Sequence, residues 1–433
     1  MNRHDVVVVG AGLAGLTAAV RLAEAGARVA VLAKGVGATH LGPCTIDALG
    51  YDPDPVEHPA EAMRRLAEAR PGHPYALAGP DALRAGIAWL ADTMASGPLA
   101  PYTYTGGLEE NLRLPTAVGV LKPSAAVPVT MAGGDLREGG SVCVAGFRRL
   151  KDFHPALLAD NLARHDGIEA HAMELDLVPE GRADANALAF ARAFDDPAFR
   201  SRVAAELARR LGRADRVALP AVLGIKRPHE VWRELEAKVG RPVFEVPMLP
   251  PSVPGMRVFA TLRDRLRRAG APVILNAVVG GAETDRDRVT AVRARIGLRD
   301  AVHQADWVVL ATGGFASGGV ALDARWAASE VALGLPLTGV PEPGEARFGS
   351  DYFGPQPIAR AGVAADAQLR PVDASGTRVH ENVLVAGATL AGAEPWREKS
   401  GDGISLATGW RAAELIIEQA SFGARPAAVG GEV

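Results

Sequence analysis

The chain has 433 residues, 48% of them hydrophobic and only 5% aromatic, which suits a large aliphatic core and about two to three domains. Lys and Arg number 47 against 50 Asp and Glu, a formal net charge of −3, so no long-range field draws in nucleic acid or anionic lipid. Cys44 and Cys143 are the only cysteines, which excludes a four-cysteine cluster, a CxxC redox pair and a multi-bridge disulfide framework. A reducing cytoplasm is therefore the expected compartment and no metal site is expected. No later stretch approaches the ~18 uninterrupted apolar residues needed to cross a bilayer, so membrane association would have to come through a partner.

Val6-Val7-Val8-Val9 predicts an apolar strand that runs straight into Gly10-Ala11-Gly12-Leu13-Ala14-Gly15, a GxGxxG turn opening an alanine-rich helix over 13–25. Such a turn cradles a nucleotide phosphate: the first glycine permits the tight turn, the second lets the backbone approach a pyrophosphate, and the third lets helix and strand pack closely. The helix N-terminus adds free N–H groups and the positive end of its dipole. Arg28-Val-Ala-Val-Leu32 then reads as the second parallel strand of a βαβ unit. A dinucleotide site usually carries an acid at the end of that strand to hold the ribose, but here the strand ends Leu32-Ala33-Lys34, followed by Gly35. Lys34 reads as a phosphate neighbour or as a solvated lysine.

Helical patterns follow over 59–70 and 81–96, and the alternation over 102–129 predicts short antiparallel strands. From 141 to 246 strands and helices alternate, which implies a second parallel sheet, closed by Pro247-Met-Leu-Pro-Pro251. The chain then returns through a helix over 257–269, hairpin-like strands over 273–279 and 289–296, and a strand over 306–310 that ends in Ala311-Thr312-Gly313-Gly314. A further buried strand ends at Gly387-Ala388, and a glycine-rich loop, Ser400-Gly-Asp-Gly-Ile-Ser-Leu-Ala-Thr-Gly409, enters a helix that runs to Gln419. Gly403, Ile404 and Ser405 at that helix entry suit the pyrimidine end of a flavin, which backbone donors and the helix dipole stabilise. The expected fold is α/β: a Rossmann-like FAD/NAD(P)-binding parallel-sheet domain, 1–139 and 253–420, with an inserted second α/β domain, 140–252. Residues 421–433 read as a flexible tail.

Three nucleotide-facing segments at the start, middle and end of one chain resemble the two-dinucleotide-binding-domain flavoproteins. More discriminating stretches extend the likeness: Lys34-Gly35 to Thr39-His40, His73-Pro-Tyr75, Leu150-Lys-Asp-Phe153, Pro247-Met-Leu-Pro-Pro-Ser252, Leu310 to Gly319, Asp351-Tyr-Phe-Gly-Pro-Gln-Pro357, Leu369-Arg-Pro371 and Glu381-Asn382. Together they resemble the B subunit of anaerobic glycerol-3-phosphate dehydrogenase, across nearly the whole chain. The resemblance implies a fold like that of the succinate dehydrogenase and fumarate reductase flavoproteins, and a non-covalent flavin. It also implies a complex with a catalytic flavoprotein, the A subunit, and an iron-sulfur membrane-anchor subunit. That complex oxidises sn-glycerol 3-phosphate to dihydroxyacetone phosphate and passes electrons to quinone, at the inner face of the cell membrane. The B subunit of the family is usually assigned FMN, whereas a GxGxxG turn suits the pyrophosphate of FAD; both stay open. Asp402 departs from a more purely glycine and serine loop in the family, and its charge would oppose a flavin anion unless it points away.

Oxidation of a secondary alcohol needs a base, an electron acceptor and cations for the substrate phosphate. His40 is the candidate base. Arg397, with Lys399 and Arg257, is a candidate phosphate ligand, and Asp351 and Tyr352 are candidates to face the crevice. Two other functions fit the same motifs: a stand-alone flavin dehydrogenase or reductase of the fumarate reductase type, and a non-catalytic flavin protein that relays electrons.

Overall fold

A computed structural model describes residues 2–179 and 185–422 of the chain. Most of the expected tail, from residue 423 on, lies outside the described residues. Val6, Val7, Val8 and Val9 are at most 4% exposed, because the strand Asn2–Val9 lies at the centre of a sheet covered on both faces. Val29–Ala33 pairs parallel on one side of it and Arg299–Leu310 on the other. Val273–Leu275 continues beyond Val29–Ala33, and Val383–Val385 pairs parallel with the carboxyl end of Arg299–Leu310. The antiparallel hairpin Ala277–Asp285 and Arg288–Ile296 fills the place beside the amino-terminal half of Arg299–Leu310, which completes seven strands.

The strand expected over 273–279 is in fact two. Asn276 takes a positive φ of 58°, so Val273–Leu275 joins the parallel edge while Ala277–Asp285 turns away into the hairpin. Two helices cover one another and the sheet: Leu13–Glu24 and Gly401–Gln419. A Cβ on Gly409 would stand 2.4 Å from the Ala14 carbonyl oxygen, so only glycine lets these two helices approach so closely. The helix Pro74–Ala95 packs on the same side and kinks at Gly79 and Pro80.

A second sheet of four parallel strands has the order Val243–Val246, Arg216–Pro220, Gly140–Phe147, Ile168–Leu175. Its core is separate from the first and is built around Phe147, Phe190, Phe194 and Phe199, with Phe147 and Phe190 stacked at 4.6 Å. The helix Val253–Arg268 connects the two sheets. Its Arg257, fully buried, donates to both Glu245 carboxylate oxygens at 2.7 and 2.9 Å and to the Gly224 carbonyl at 2.7 Å. Tyr102 completes this buried group, its phenol 3.2 Å from the guanidinium and pushed up to about 12 chiefly by burial.

Candidate functional site

Three chain segments meet at the carboxyl ends of the central strands, where an open α/β sheet receives a ligand. Gly10, at φ +117°, turns the first strand so tightly that a Cβ there would lie 2.1 Å from the Ala311 carbonyl oxygen. A Cβ on Gly15 would meet the Gly10 carbonyl oxygen at 2.1 Å, so the helix sits directly on the turn. Gly12 is different: a Cβ there would meet nothing within 4 Å. It forms the N-cap of Leu13–Glu24 without any side-chain cap, which leaves an open backbone face at a helix N-terminus, the feature an anionic phosphate requires.

The middle and last segments close around this turn. Gly313 donates its N–H to Thr389 Oγ1 at 2.9 Å, and a Cβ on Gly314 would stand 2.7 Å from the Ala388 carbonyl oxygen. Gly387 donates its N–H to Thr408 Oγ1 at 2.8 Å, and a Cβ on it would lie 2.9 Å from the Cβ of Ala14 and 3.8 Å from Ser405 Oγ. These contacts bring the turn Gly10 to Gly15, the strand end Ala311 to Gly314, and Gly387, Ala388 and Ser405 together at the carboxyl ends of the central strands. Gly403 and Ile404 precede Ser405 in the same helix and are buried. Lys34 and Gly35 are exposed at the end of the second strand.

The glycine-rich stretch expected as a loop over 400–409 is helix from Gly401 onward. Its glycines serve packing: a Cβ on Gly403 would stand 2.4 Å from the Tyr75 hydroxyl oxygen and 2.8 Å from the Asp47 carbonyl oxygen.

Sequence reasoning missed the polar cluster at the start of this helix. Asp47 accepts from Thr45 Oγ1 at 2.8 Å, Ser124 Oγ at 2.7 Å and Lys122 Nζ at 2.7 Å, and its carbonyl accepts from Gly403 N–H at 3.0 Å. Asp402 follows in the helix's first turn. Burial first, and the charge of Asp47 second, raise its carboxyl to about 7 against the pull of Lys122. At neutral pH it is therefore partly protonated, which reduces the opposition to a flavin anion expected from its charge. The signal for the cluster in the sequence is Lys122 with Ser124 in a short stretch between apolar Leu121 and Ala125.

A second ionic group supports it from behind. Glu398 accepts from Ser400 Oγ at 2.9 Å and from Arg70 at 3.0 Å, with His73 Nε2 at 3.2 Å. Burial opposes its charge, but the His73 hydrogen bond and charge, with Ser400, hold the carboxyl down at about 2.

The three candidate catalytic residues are dispersed: among the described residues, no hydrogen bond, ion pair or ring contact joins any two of them. His40 ends the 3-10 turn Gly37–His40 and packs edge-on against Phe259 at 5.0 Å, and burial lowers its pKa. Arg397 is half-exposed and donates to Glu394 at 3.3 Å, and Glu394 also holds Arg360 at 2.7 Å. Asp351 is exposed and accepts the N–H of Phe353 at 3.0 Å, a turn contact. Tyr352 is 82% exposed, and Arg257 is occupied by Glu245. Lys399 is half-buried at a positive φ of 49° immediately before the helix.

Residues 5–404 match the model of a protein family described as an FAD binding domain. The anaerobic glycerol-3-phosphate dehydrogenase B subunit of Pectobacterium carotovorum is 32% identical over 440 residues, covering 97% of this chain and 100% of that protein. A probable B subunit of the same enzyme from Halobacterium salinarum is 33% identical over 435 residues, covering 96% of this chain and 98% of that one. The chain belongs to this B-subunit family. It is a flavoprotein with a Rossmann-like parallel sheet, as the crevice and the family model together require. The crevice fits the cofactor, since the open face at Gly12 leaves room where the neighbouring glycines are closed by packing. Among solved structures, the chain is similar to a 3-ketosteroid Δ1-dehydrogenase from Sterolibacterium denitrificans (TM-score 0.46, 13% identity, covering 97% of this chain and 100% of that one). It is also similar to a flavocytochrome c3 fumarate reductase in an open conformation (TM-score 0.46, 11% identity, covering 96% and 78%).

Proposed function

We propose that this chain is the flavin-binding B subunit of a glycerol-3-phosphate:quinone oxidoreductase that oxidises sn-glycerol 3-phosphate to dihydroxyacetone phosphate. The observation that carries the reading is the convergence of the three glycine segments, with Gly10 against Ala311, Gly314 against Ala388 and Gly387 against Ala14, on one crevice with an open helix N-terminus. In it, Gly12, Leu13, Ala14 and Gly15 offer the cofactor's phosphates the backbone N–H groups at the helix N-terminus, while Gly10, whose own N–H is donated to the Leu32 carbonyl at 2.8 Å, makes the turn that presents them. Ala311, Thr312, Gly313, Gly314, Gly387 and Ala388 line its ring end, Ser405 its pyrimidine end with Gly403 and Ile404 packed behind it in the same helix, and Lys34 and Gly35 border the adenosine side. FAD rather than FMN suits a turn whose open face accepts a pyrophosphate. When bound, the flavin supplies the acceptor for the two electrons of an alcohol oxidation. The chain's own residues bind and orient it, and Asp47 with Lys122 fixes the polar end of the crevice.

Cys44 and Cys143, both buried, cannot assemble a cluster for onward transfer, so electrons leave through an iron-sulfur partner beside the catalytic flavoprotein of the complex. No helix among the described residues is long and apolar enough to cross a membrane, and contact with quinone comes through that partner at the inner face of the cell membrane. Residues 140–252 form a unit inserted between the two parts of the flavin domain, 1–139 and 253–420. A second reading is favoured by the engagement of Arg397 with Glu394, Arg257 with Glu245 and Asp351 with its own turn: substrate oxidation belongs to the catalytic partner and this chain relays electrons.

Anaerobic addition of glycerol 3-phosphate to the isolated flavin-loaded chain tests the choice. Bleaching of the flavin band supports oxidation in this chain. A flavin that bleaches only when the catalytic partner is present supports the relay, and one that bleaches under neither condition contradicts both.

A further inference from the structure

We propose that Phe315, Trp326, Phe348, Tyr352 and Phe353 form the face on which an iron-sulfur protein docks to take electrons from the flavin crevice. The inference rests on the flavin reading above and adds the surface by which the electrons leave.

The face is fastened to the ring end of the crevice. Phe315 follows Gly314 directly, Gly319 donates its N–H back to the Gly314 carbonyl at 3.0 Å, and a Cβ on Gly319 would stand 1.9 Å from the Gly313 carbonyl oxygen. From there Val320–Leu322 and Ala328–Glu330 form an antiparallel hairpin with Trp326 in its turn. Phe348 bridges the two ends, its ring centroid 5.8 Å from that of Phe315 and 6.3 Å from that of Trp326. The aromatic row therefore starts at the residue beside Gly314 and ends at the surface.

The face is built for display rather than for packing. Four of the five exposed large aromatic side chains among the described residues are here, with Trp326 53% and Phe353 78% exposed beside Phe348 and Tyr352. Single surface apolar groups are ordinary, but a cluster of them marks an interaction site. Trp326 also takes a φ of 64°, a left-handed conformation that is costly for a bulky residue. The hairpin holds it there: Asp323 Oδ1 accepts the N–H groups of Arg325 and Ala327, both at 2.8 Å, and Arg347 Nε donates to the Trp326 carbonyl at 3.1 Å. A strained residue whose ring stays half in water serves binding better than it serves folding. The turn after Phe348 is equally fixed, since Asp351 accepts the Phe353 N–H at 3.0 Å and Gln356 joins the Asp351 carbonyl to the Gly349 N–H, each at 2.9 Å. Aromatic anchors on such pre-ordered turns lose little freedom on association.

Charge names the occupant. Asp323, Glu330, Glu345 and Asp351 are turned onto backbone N–H groups of their own loops, whereas the guanidinium groups of Arg325 and Arg347 meet no carboxylate among the described residues. Unpaired cations among aromatic rings fit a partner with an apolar centre and an electronegative surround. An iron-sulfur cluster held by four cysteine thiolates carries net negative charge, and under the flavin reading the electrons of this chain go to such a cluster. Two electrons from one alcohol then reduce two ferric irons to ferrous in successive single steps, and the two protons of the alcohol pass to water.

The flavin-loaded chain is titrated with the purified iron-sulfur partner in detergent, at low and high salt, as wild type, Trp326→Gly, Phe353→Ser, Arg325→Gln and Leu298→Ser. Trp326→Gly removes the ring and relieves the positive φ, so it should raise the apo thermal midpoint while weakening binding by about tenfold or more. Phe353→Ser should weaken binding with the midpoint unchanged, and Arg325→Gln should flatten the dependence on salt. Leu298, fully exposed at the opposite, amino end of Arg299–Leu310, is the control, and its variant should bind as wild type does. Should Trp326→Gly fail to fold, Phe353→Ser decides alone. Trp326→Gly and Phe353→Ser that both bind as wild type overturn the inference and leave the flavin reading intact. Variants that keep the partner but lose self-association in ultracentrifugation, or adhesion to phosphatidylglycerol vesicles, assign the face to a second copy or to a membrane and overturn it likewise. A wild-type chain that holds no flavin, or that the iron-sulfur partner does not bind even beside the catalytic subunit, overturns the reading on which the inference rests.

Discussion

Gly12 and Gly15 stand three residues apart in the same turn, yet a methyl group meets open space at one and a carbonyl oxygen at 2.1 Å at the other. Gly12→Ala should therefore fold with an unchanged thermal midpoint, since φ −75° at that position suits any residue, and should bind flavin at least about tenfold more weakly because the methyl intrudes on the phosphate face. Gly15→Ala should instead lose roughly 1–3 kcal/mol of stability, from overpacking of helix against turn. Thermal unfolding of the apo forms with fluorescence titration of flavin separates the two. Equal effects on both readouts would refute the division into a packing glycine and a binding glycine.

At the scale of elements, the Glu398 group ties the start of Pro74–Ala95 to the segment entering Gly401–Gln419. Its folded pKa of about 2 lies below the ordinary 4.5, so the carboxylate's contribution is fully present above pH 4.5 and is lost as pH falls toward 2. That depression corresponds to about 3 kcal/mol at neutral pH. Glu398→Gln should lower the denaturation free energy at pH 7 by about that amount and flatten the loss between pH 4.5 and 2. A variant with the wild-type acid limb would exclude this role. Asn2–Val9, Val383–Val385 and the carboxyl half of Arg299–Leu310 are legible in the sequence because each carries an apolar run that ends within three residues of a glycine, and the GxGxxG turn because it must sit between strand and helix. Arg299–Leu310 reads short, since four of the six residues of its first half, Arg-Asp-Ala-Val-His-Gln, are polar and the half is held by hairpin pairing rather than by burial on both faces. Arg257 reads as a phosphate ligand because sequence spacing cannot show that Glu245, twelve residues earlier, faces it from another sheet. The Asp47 and Lys122 contact spans 75 residues and has no local pattern to reveal it.

For the molecule as a whole, the Arg257–Glu245 pair is the buried joint between the two sheets, with Gly224 and Tyr102 as further partners. Removing one charge leaves the other desolvated, so Glu245→Gln should cost about 3–5 kcal/mol in chemical denaturation. A change within experimental scatter would show that the joint does not carry stability. The central claim is that the three glycine segments form one site for an intact dinucleotide flavin, although the second strand ends in Lys34 rather than an acid. Denaturing the purified chain and identifying the released cofactor by mass and chromatography tests this directly. The account predicts one FAD per chain in wild type and its loss in Gly12→Ala. Stoichiometric FMN, or no flavin in a correctly folded chain, would contradict it.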